Sequence, residues 1–481
     1  MNSNQTNAPF LKELESYVKA PRHGFHTPGH RGGISMGKEW LEAPLIKLDL
    51  TELSGLDWEG ALGKARQLAA ELYQADYSFF LVQGATQGIL GAMLGCFHPG
   101  DTVLVARNCH LAVQNGLILA GLNPVYLAVD YLPEWGLPLG LNREALEEAV
   151  REYPDAKGLF VTNPTYQGIT GSNAAYREII GEQRLLVVDE AHGGHLEWSG
   201  LTGRGAFRTA DLWVHGTHKI LGSVTQTGML FLNAARVSPE AVRRGLELVT
   251  TTSPSFILLA ALDANRRFLA AGGRELFRER LPRVAELRAK LSRLGGWWLL
   301  TPECLPAATD YALDPWKLTL SGRGLGLTGY QIEAAFQEQA QVQVEYADIN
   351  QVTCLIAPWQ LEADLLKLEE AVGALASGRR ETSCGPRPEI SGPAPDLPWV
   401  SRPALNPRAA YLAPAQETPL ARAVGRIAAA LVAPYPPGIP LLVPGEVIRA
   451  ETVARLEAIL AQGGVVRGID SRRLIRCVED R

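Results

Sequence analysis

The sequence has few cysteines, little excess of either charge and no long apolar run, and each shortage excludes a class of protein. Its six cysteines (96, 109, 304, 354, 384 and 477) include no Cys-x-x-Cys pair. Scattered thiols argue against a disulfide framework and for a reducing, cytoplasmic setting. A formal net charge of -5 leaves no basic footprint for nucleic acid or an anionic membrane. No uninterrupted apolar stretch is long enough to span a bilayer. The first seven residues lack the basic and apolar regions of a secretory signal. With 46% hydrophobic and 20% charged residues, a soluble, cytoplasmic, globular protein is expected. A chain of 481 residues has room for roughly two to four domains.

Two stretches organise the rest. Leu185-Leu186-Val187-Val188 is an apolar run that ends abruptly in Asp189-Glu190-Ala191-His192. Leu212-Trp213-Val214 repeats the form and ends in His215-Gly216-Thr217-His218-Lys219. Each reads as a buried parallel strand delivering polar groups at its carboxyl end, where open α/β sheets bind ligands. An acid and a lysine on successive strand ends suit pyridoxal phosphate: the lysine forms a Schiff base, and the acid keeps the pyridine nitrogen protonated.

Around these stretches, strands alternate with helices, which predicts an α/β fold with a mostly parallel, doubly wound sheet. Strands are expected at 77–82, 101–106, 124–129, 158–162 and 228–232, and helices at 10–20, 61–73, 89–97, 115–120 and 143–152. Between the first strand and its helix, Gln83-Gly84-Ala85-Thr86-Gln87-Gly88 reads as a tight turn. Such a unit suits a phosphate, although a plain connection is an equal reading of the turn alone. His110 follows a strand, where an imidazole could stack on an aromatic ring or serve the structure. Residues 23–33 hold three histidines and several glycines, which suggests a loop folded over a site. A long helical region over 257–294 then leads to a smaller α+β unit. That unit has expected strands at 317–320 and 342–346 and helices at 330–338 and 361–375. Seven prolines between Pro386 and Pro407 mark a linker. Beyond it, 419–432 reads as an alanine-rich helix, 451–462 as a helix and 474–478 as a strand. The expected division is an N-terminal segment (1–48), a large cofactor domain (49–290), a small domain (291–377), the linker (378–407) and a C-terminal domain (408–481).

The pairs His192/His195 and His215/His218, with Glu190 close by, raise a metal site as a competitor. At strand ends, i and i+3 residues need not converge, so no metal is expected and His195 and His215 are read as structural. Cys109 shows no sign of an activated thiolate and is read as packing. The run from Pro434 to Pro440 is either a rigid turn or a pocket wall.

The ordered motif set resembles the Orn/Lys/Arg decarboxylase family, in its shorter bacterial form without an N-terminal wing domain. It comprises His26-Thr27-Pro28-Gly29-His30, Asp49-Leu50-Thr51-Glu52, Arg107-Asn108-Cys109-His110 and Asn163-Pro164-Thr165-Tyr166. It continues through Val188–His192, Thr217-His218-Lys219, Thr251–Ser255 and Pro434–Pro440. The resemblance implies the aspartate-aminotransferase-like fold, pyridoxal 5'-phosphate as cofactor, and α-decarboxylation of arginine, lysine or ornithine to agmatine, cadaverine or putrescine. It implies Lys219 as the Schiff-base residue and proton donor, Asp189 beside the pyridinium nitrogen, His110 on the ring face and His192 in support. Gly84, Ala85, Thr86 and His218 fall at phosphate-side positions. Thr251 and Thr252 would reach the phosphate of a neighbouring subunit, in a homodimer or larger homo-oligomer with shared sites. Glu446 is the carboxylate assigned to the substrate's distal cation.

This sequence departs from the family pattern at several points. Leu111-Ala112 stand where Lys-Ser is usual, and Ala85 and Gly216 replace two hydroxyl residues of the phosphate site. The segment at Leu56–Gly60 is shortened, and Pro358-Trp359-Gln360 replaces Pro-Gly-Asp. Two other readings therefore stay open. One is another enzyme of the same fold, such as an aminotransferase or cysteine desulfurase. The other is a regulatory homologue without catalysis.

Overall fold

The computed structural model describes residues 23–24, 58–307, 309–377, 398–435 and 438–479. The expected helix at 10–20, the histidine-rich loop beyond Gly24 and the Asp49–Glu52 motif lie outside the described residues. The centre is an eight-stranded sheet built around apolar runs buried on both faces. In chain order its strands are β1 (Tyr77–Leu81), β2 (Thr102–Ala106), β3 (Asn123–Leu127), β4 (Gly158–Thr162), β5 (Leu185–Asp189), β6 (Leu212–His215), β7 (Gly228–Leu232) and β10 (Val400–Ser401). Their order across the sheet is β10-β3-β2-β4-β5-β6-β7-β1.

Neighbours from β3 through β6 are parallel, whereas β7 runs antiparallel to both β6 and β1. Two reversals bring β1 back to the direction of β6, so the carboxyl ends of β1, β2, β4, β5 and β6 share one edge of the sheet. The chain turns outward from β2 to β3 and then resumes at β4 on the other side of β2. That reversal is a topological switch point, where such sheets bind ligands.

Leu186, Val188, Leu212, Trp213 and Val214 have no exposed surface, so the two organising strands are core elements. Burying each large apolar side chain contributes roughly 1.5–3 kcal/mol. Helices α1 (Trp58–Leu72), α2 (Gly84–Cys96) and α3 (Leu111–Ala120) follow in chain order, and α4 (Pro239–Glu247) packs against α2.

The expected helix over 257–294 is real but interrupted. It runs Phe256–Phe268 and Arg274–Leu291, with a wider turn at Leu269–Gly273 between them. The small unit is a four-stranded antiparallel sheet containing β8 (Lys317–Ser321) and β9 (Val352–Leu355). Its expected strand at 342–346 is two short pieces, Val342–Gln343 and Tyr346–Ala347, in different sheets.

The expected helix at 419–432 is a correction. Residues Ala415–Pro419 form a strand paired with Leu474–Val478, and Ile427, Ala428 and Val432 make β-bridges. Leu420, Ala423, Ala428 and Val432 are buried in a separate C-terminal core, so pairing and packing override the helix propensity of alanine. The end of the proline-rich stretch is also structured, because Val400–Ser401 extends the large sheet beside β3.

Candidate active site

The shared sheet edge gathers residues from five strand ends. After β2 the chain passes through Arg107 to His110, which caps α3: its Nδ1 accepts from the Ala112 amide at 3.2 Å. An accepting Nδ1 places the ring proton on Nε2. Burial, with Lys219 and Arg467 nearby, holds this imidazole down to about 4, so it is neutral at pH 7.

After β4, Asn163 folds the loop around itself. Its Nδ2 donates to Asn173 Oδ1 at 2.9 Å, and its Oδ1 accepts from Gly171 N at 3.0 Å. Tyr166 is thereby carried to 4.2 Å (ring centroids) from His192. Gln167 bonds the hydroxyl of Tyr346, which brings in the small sheet.

Asp189 ends β5 beside Val214 of β6, and its Oδ1 accepts from Ala191 N at 3.1 Å. Burial raises its pKa against an opposing pull from Lys219. Three residues on, His192 sits between two amines: Lys219 Nζ is 2.7 Å from Nε2 and Lys317 Nζ is 2.9 Å from Nδ1. Burial lowers the Lys219 ammonium from 10.5 to about 8, with Asp189 and Glu345 resisting and Lys317 assisting. Beside it, His218 Nδ1 meets the Thr227 carbonyl at 2.8 Å, and burial and Lys219 hold that ring down to about 4.

At the end of β1, the expected turn at 83–88 is a correction: helix α2 begins at Gly84 itself. Gln87 closes the corner, because its Oε1 accepts from Val82 N at 3.0 Å and Gln83 N at 3.1 Å. Its Nε2 donates to Thr250 Oγ1 at 2.5 Å. No side chain caps the helix at Gln83, so the first-turn amides of Ala85 and Thr86 face the sheet edge with the positive end of the helix dipole. The glycine at 216 also has a reason. A Cβ there would stand 3.0 Å from the Ala191 carbonyl and 3.1 Å from Lys219 Cδ, crowding the lysine.

These groups fit pyridoxal phosphate. An uncapped helix start suits its phosphate, and a buried carboxylate with its second oxygen to spare among the described bonds suits a ring N–H. A partly buried amine of lowered basicity suits covalent attachment.

Glu446 is engaged within its own chain. Its Oε2 pairs with Arg107 at 3.1 Å and accepts from Val443 N at 3.0 Å, while Arg107 also donates to the Pro440 and Leu441 carbonyls at 3.1 Å each. This carboxylate ties the C-terminal domain to the end of β2 and is engaged before any substrate arrives. Part of the 434–440 run reaches the site, since Leu111 N donates to the Gly438 carbonyl at 3.0 Å. Thr251 and Thr252 are exposed in their own chain.

The histidine pairs diverge. His195 bonds Asp314 at 2.9 Å and His215 bonds Glu190 at 2.7 Å, while His192 faces lysines. Among the described residues no group of three or more His, Cys, Asp or Glu could hold a metal ion. The Cys109 thiol is buried against the Phe160 carbonyl, and that burial pushes it up to about 12.

Sequence reasoning missed Lys317 and Gln87. The available signal for Lys317 is a lone charge opening an otherwise uncharged strand after Asp314-Pro315.

The profile of the Orn/Lys/Arg decarboxylase major domain matches residues 8–363, and that of the family's C-terminal domain matches 399–463. The chain is 32% identical to the arginine decarboxylase of Halalkalibacterium halodurans, with 99% of each chain covered. It is also 32% identical to the arginine decarboxylase of Bacillus subtilis, again over 99% of each. Among solved structures, lysine decarboxylase A from Pseudomonas aeruginosa shares the fold at a TM-score of 0.76 and 21% identity, covering 98% of this chain and 80% of that one. Among the described residues no helix is long and apolar enough to cross a membrane. With both domains matched and the strand-end site in place, the chain belongs to the Orn/Lys/Arg decarboxylase family.

Proposed function

We propose that this chain removes CO2 from a basic amino acid on pyridoxal phosphate attached to Lys219, with arginine the first substrate to test. The observation that carries this reading is Asp189 at the end of β5 and Lys219 just beyond the end of the adjacent parallel β6, each acting on the other's charge beside an uncapped helix start. Arginine comes first because the full-length relatives at 32% identity bear that name. When bound, the cofactor supplies an electron sink for the pair left behind as CO2 departs.

The chain's own residues do the rest. The first-turn amides of Ala85 and Thr86 hold the phosphate, whereas the Gly84 amide is given to the Gln226 carbonyl at 2.7 Å and the one N–H of neutral His218 to the Thr227 carbonyl, so these two only line its side. Asp189 keeps a proton on the ring nitrogen, and neutral His110 packs on the ring face. Lys219 gives up its place to the substrate amine and afterwards returns a proton to Cα. His192 holds the released Lys219 at hydrogen-bond distance.

Arginine would yield agmatine, which places the reaction in polyamine supply in the cytoplasm. The working unit is a homodimer, with the exposed Thr251 and Thr252 completing the partner's phosphate site. A regulatory homologue is the second reading, favoured by the missing hydroxyls at Ala85 and Gly216.

Purified protein with pyridoxal phosphate should show a visible band of lysine-bound cofactor and release CO2 from one of arginine, lysine and ornithine. Both signals should vanish in Lys219→Ala. A band without CO2 release would move the assignment to another reaction, and neither signal would leave the regulatory reading.

A further inference from the structure

Lys317 has no assigned part in this chemistry, yet it is 1% exposed and spends its ammonium on a histidine. Among the described residues no carboxylate lies within ion-pair distance of it, and burying a lysine in that way is unfavourable. Counting protons shows what it can do. Both ring nitrogens of His192 meet a lysine nitrogen, at 2.7 Å and 2.9 Å. Two ammonium groups would require both ring nitrogens to accept, which only an imidazolate can do. A neutral ring has one N–H and one lone pair, so one lysine donates and the other must accept through its own lone pair. A doubly protonated ring would need both lysines neutral. Every arrangement that satisfies both contacts therefore leaves the trio with at most one positive charge.

We propose that Lys317 is a positioning residue that shares one proton with Lys219 through His192, keeping Lys219 available as a free amine and returning the proton when Lys219 is released. The step balances without water or external acid. A proton leaves Lys317 Nζ for His192 Nδ1 as the Nε2 proton passes to the lone pair of Lys219. The imidazole changes tautomer, Lys317 becomes neutral and Lys219 becomes the cation. Among the described residues, a small set of charged groups acts on the trio. Asp189 and Glu345 favour charge on Lys219, Asp314 and Glu345 favour it on Lys317, and His110 and His218 oppose it on His192. The tyrosine face of Tyr166 lies 5.5 Å from Lys219 Nζ and 5.9 Å from Lys317 Nζ, so either position of the charge is met by the same ring. The proposal rests on the cofactor assignment above, but not on the substrate.

The test is the pH dependence of pyridoxal phosphate capture by full-length, cofactor-stripped protein. It is read by absorbance and by borohydride trapping, with the label located on Lys219 by peptide mass spectrometry. Wild-type capture should have its midpoint well below the ordinary lysine value of about 10.4. In Lys317→Met the midpoint should rise by at least about one pH unit, slowing capture at pH 7 roughly tenfold. Lys317→Arg should restore the low midpoint but not turnover, because a guanidinium does not surrender its proton. An unchanged midpoint in folded Lys317→Met would overturn the proposal. If that variant does not fold, a wild-type midpoint at the ordinary lysine value overturns it alone. Normal capture without CO2 release would sink the decarboxylase reading and leave this one standing.

Discussion

The position of the phosphate cradle depends on how closely α2 lies against α4, and glycines set that distance. A Cβ at Gly245 would fall inside contact distance of the Gly91 carbonyl, 2.5 Å from Gly95 N and 2.8 Å from Gly95 Cα. Ordinary heavy-atom contacts start near 3.5 Å, so Gly245→Ala asks the helices to part by about 1 Å. Helix propensity alone predicts a gain of roughly 0.8–1.0 kcal/mol for this change. Overpacking of a tight contact costs about 1–3 kcal/mol, and the obstacle here is backbone on both sides, so the upper end applies. The net expectation is destabilisation by about 1–2 kcal/mol, together with weaker cofactor binding because α2 carries the cradle at its start. Gly63 is the control: it is exposed within α1, and a Cβ there meets nothing within 4 Å. Gly63→Ala should stabilise by up to about 1 kcal/mol and leave cofactor affinity alone. Urea unfolding of both variants, with cofactor titration, decides the matter. If Gly245→Ala stabilises like Gly63→Ala, the close helix seam is wrong.

Other consequences can be checked on the same protein. Glu446→Gln should destabilise the chain by about 1–3 kcal/mol, since it weakens a half-screened pair with Arg107, and should leave the substrate KM within about twofold. A KM rise of tenfold or more with stability intact would return Glu446 to the substrate. The buried histidines set the acid limit: from 6.5, His110 and His218 are held down to about 4 and His215 to about 3, mainly by burial. Below pH 6.5 the unfolded chain therefore binds protons that the folded chain refuses, so stability falls on acidification. At pH 5.5 each such histidine accounts for a loss of roughly 1.4 kcal/mol. Asp189 and Glu190, raised by burial, protonate first in the folded state and offset part of this loss. The Tm should still drop between pH 7 and 5.5; a constant or rising Tm would refute the neutral-histidine assignment.

What could be read from the chain was whatever has a local signature. An apolar run closed by an acid or a lysine marks a buried strand and its functional end, and β5 and β6 fall where the runs stop. The start of α2 escapes the sequence because glycine favours a turn, whereas here Gln87 clamps the corner and Gly88 lets the helix lie against Leu81 and Val214. The helix expected at 419–432 failed for the converse reason. Its alanines favour a helix, but the backbone of Ala428 and Val432 is needed for bridges to Cys477 and Leu442. The partners of His195, His215 and Glu446 lie 119, 25 and 339 residues away, and no spacing rule spans such distances.

The least legible feature is the one that joins the two sheets chemically. His192 is delivered by the large sheet, immediately beyond β5, and Lys317 opens β8 in the small one. Their contact at 2.9 Å therefore exists only while the small sheet is seated on the sheet edge. Tyr166 and Tyr346 make the same junction, at 5.3 Å between ring centroids, and Gln167 ties it with a hydrogen bond. A nitrogen-to-nitrogen contact loses its hydrogen bond within a few tenths of an ångström beyond 3.2 Å. The protonation of Lys219 is thus coupled to the packing of the small sheet, to which the buried β8 and β9 side chains contribute alongside the Tyr166 and Gln167 contacts. Substitutions that loosen that packing, far from Lys219, would be read out first as a shift in the pH at which its amine reacts.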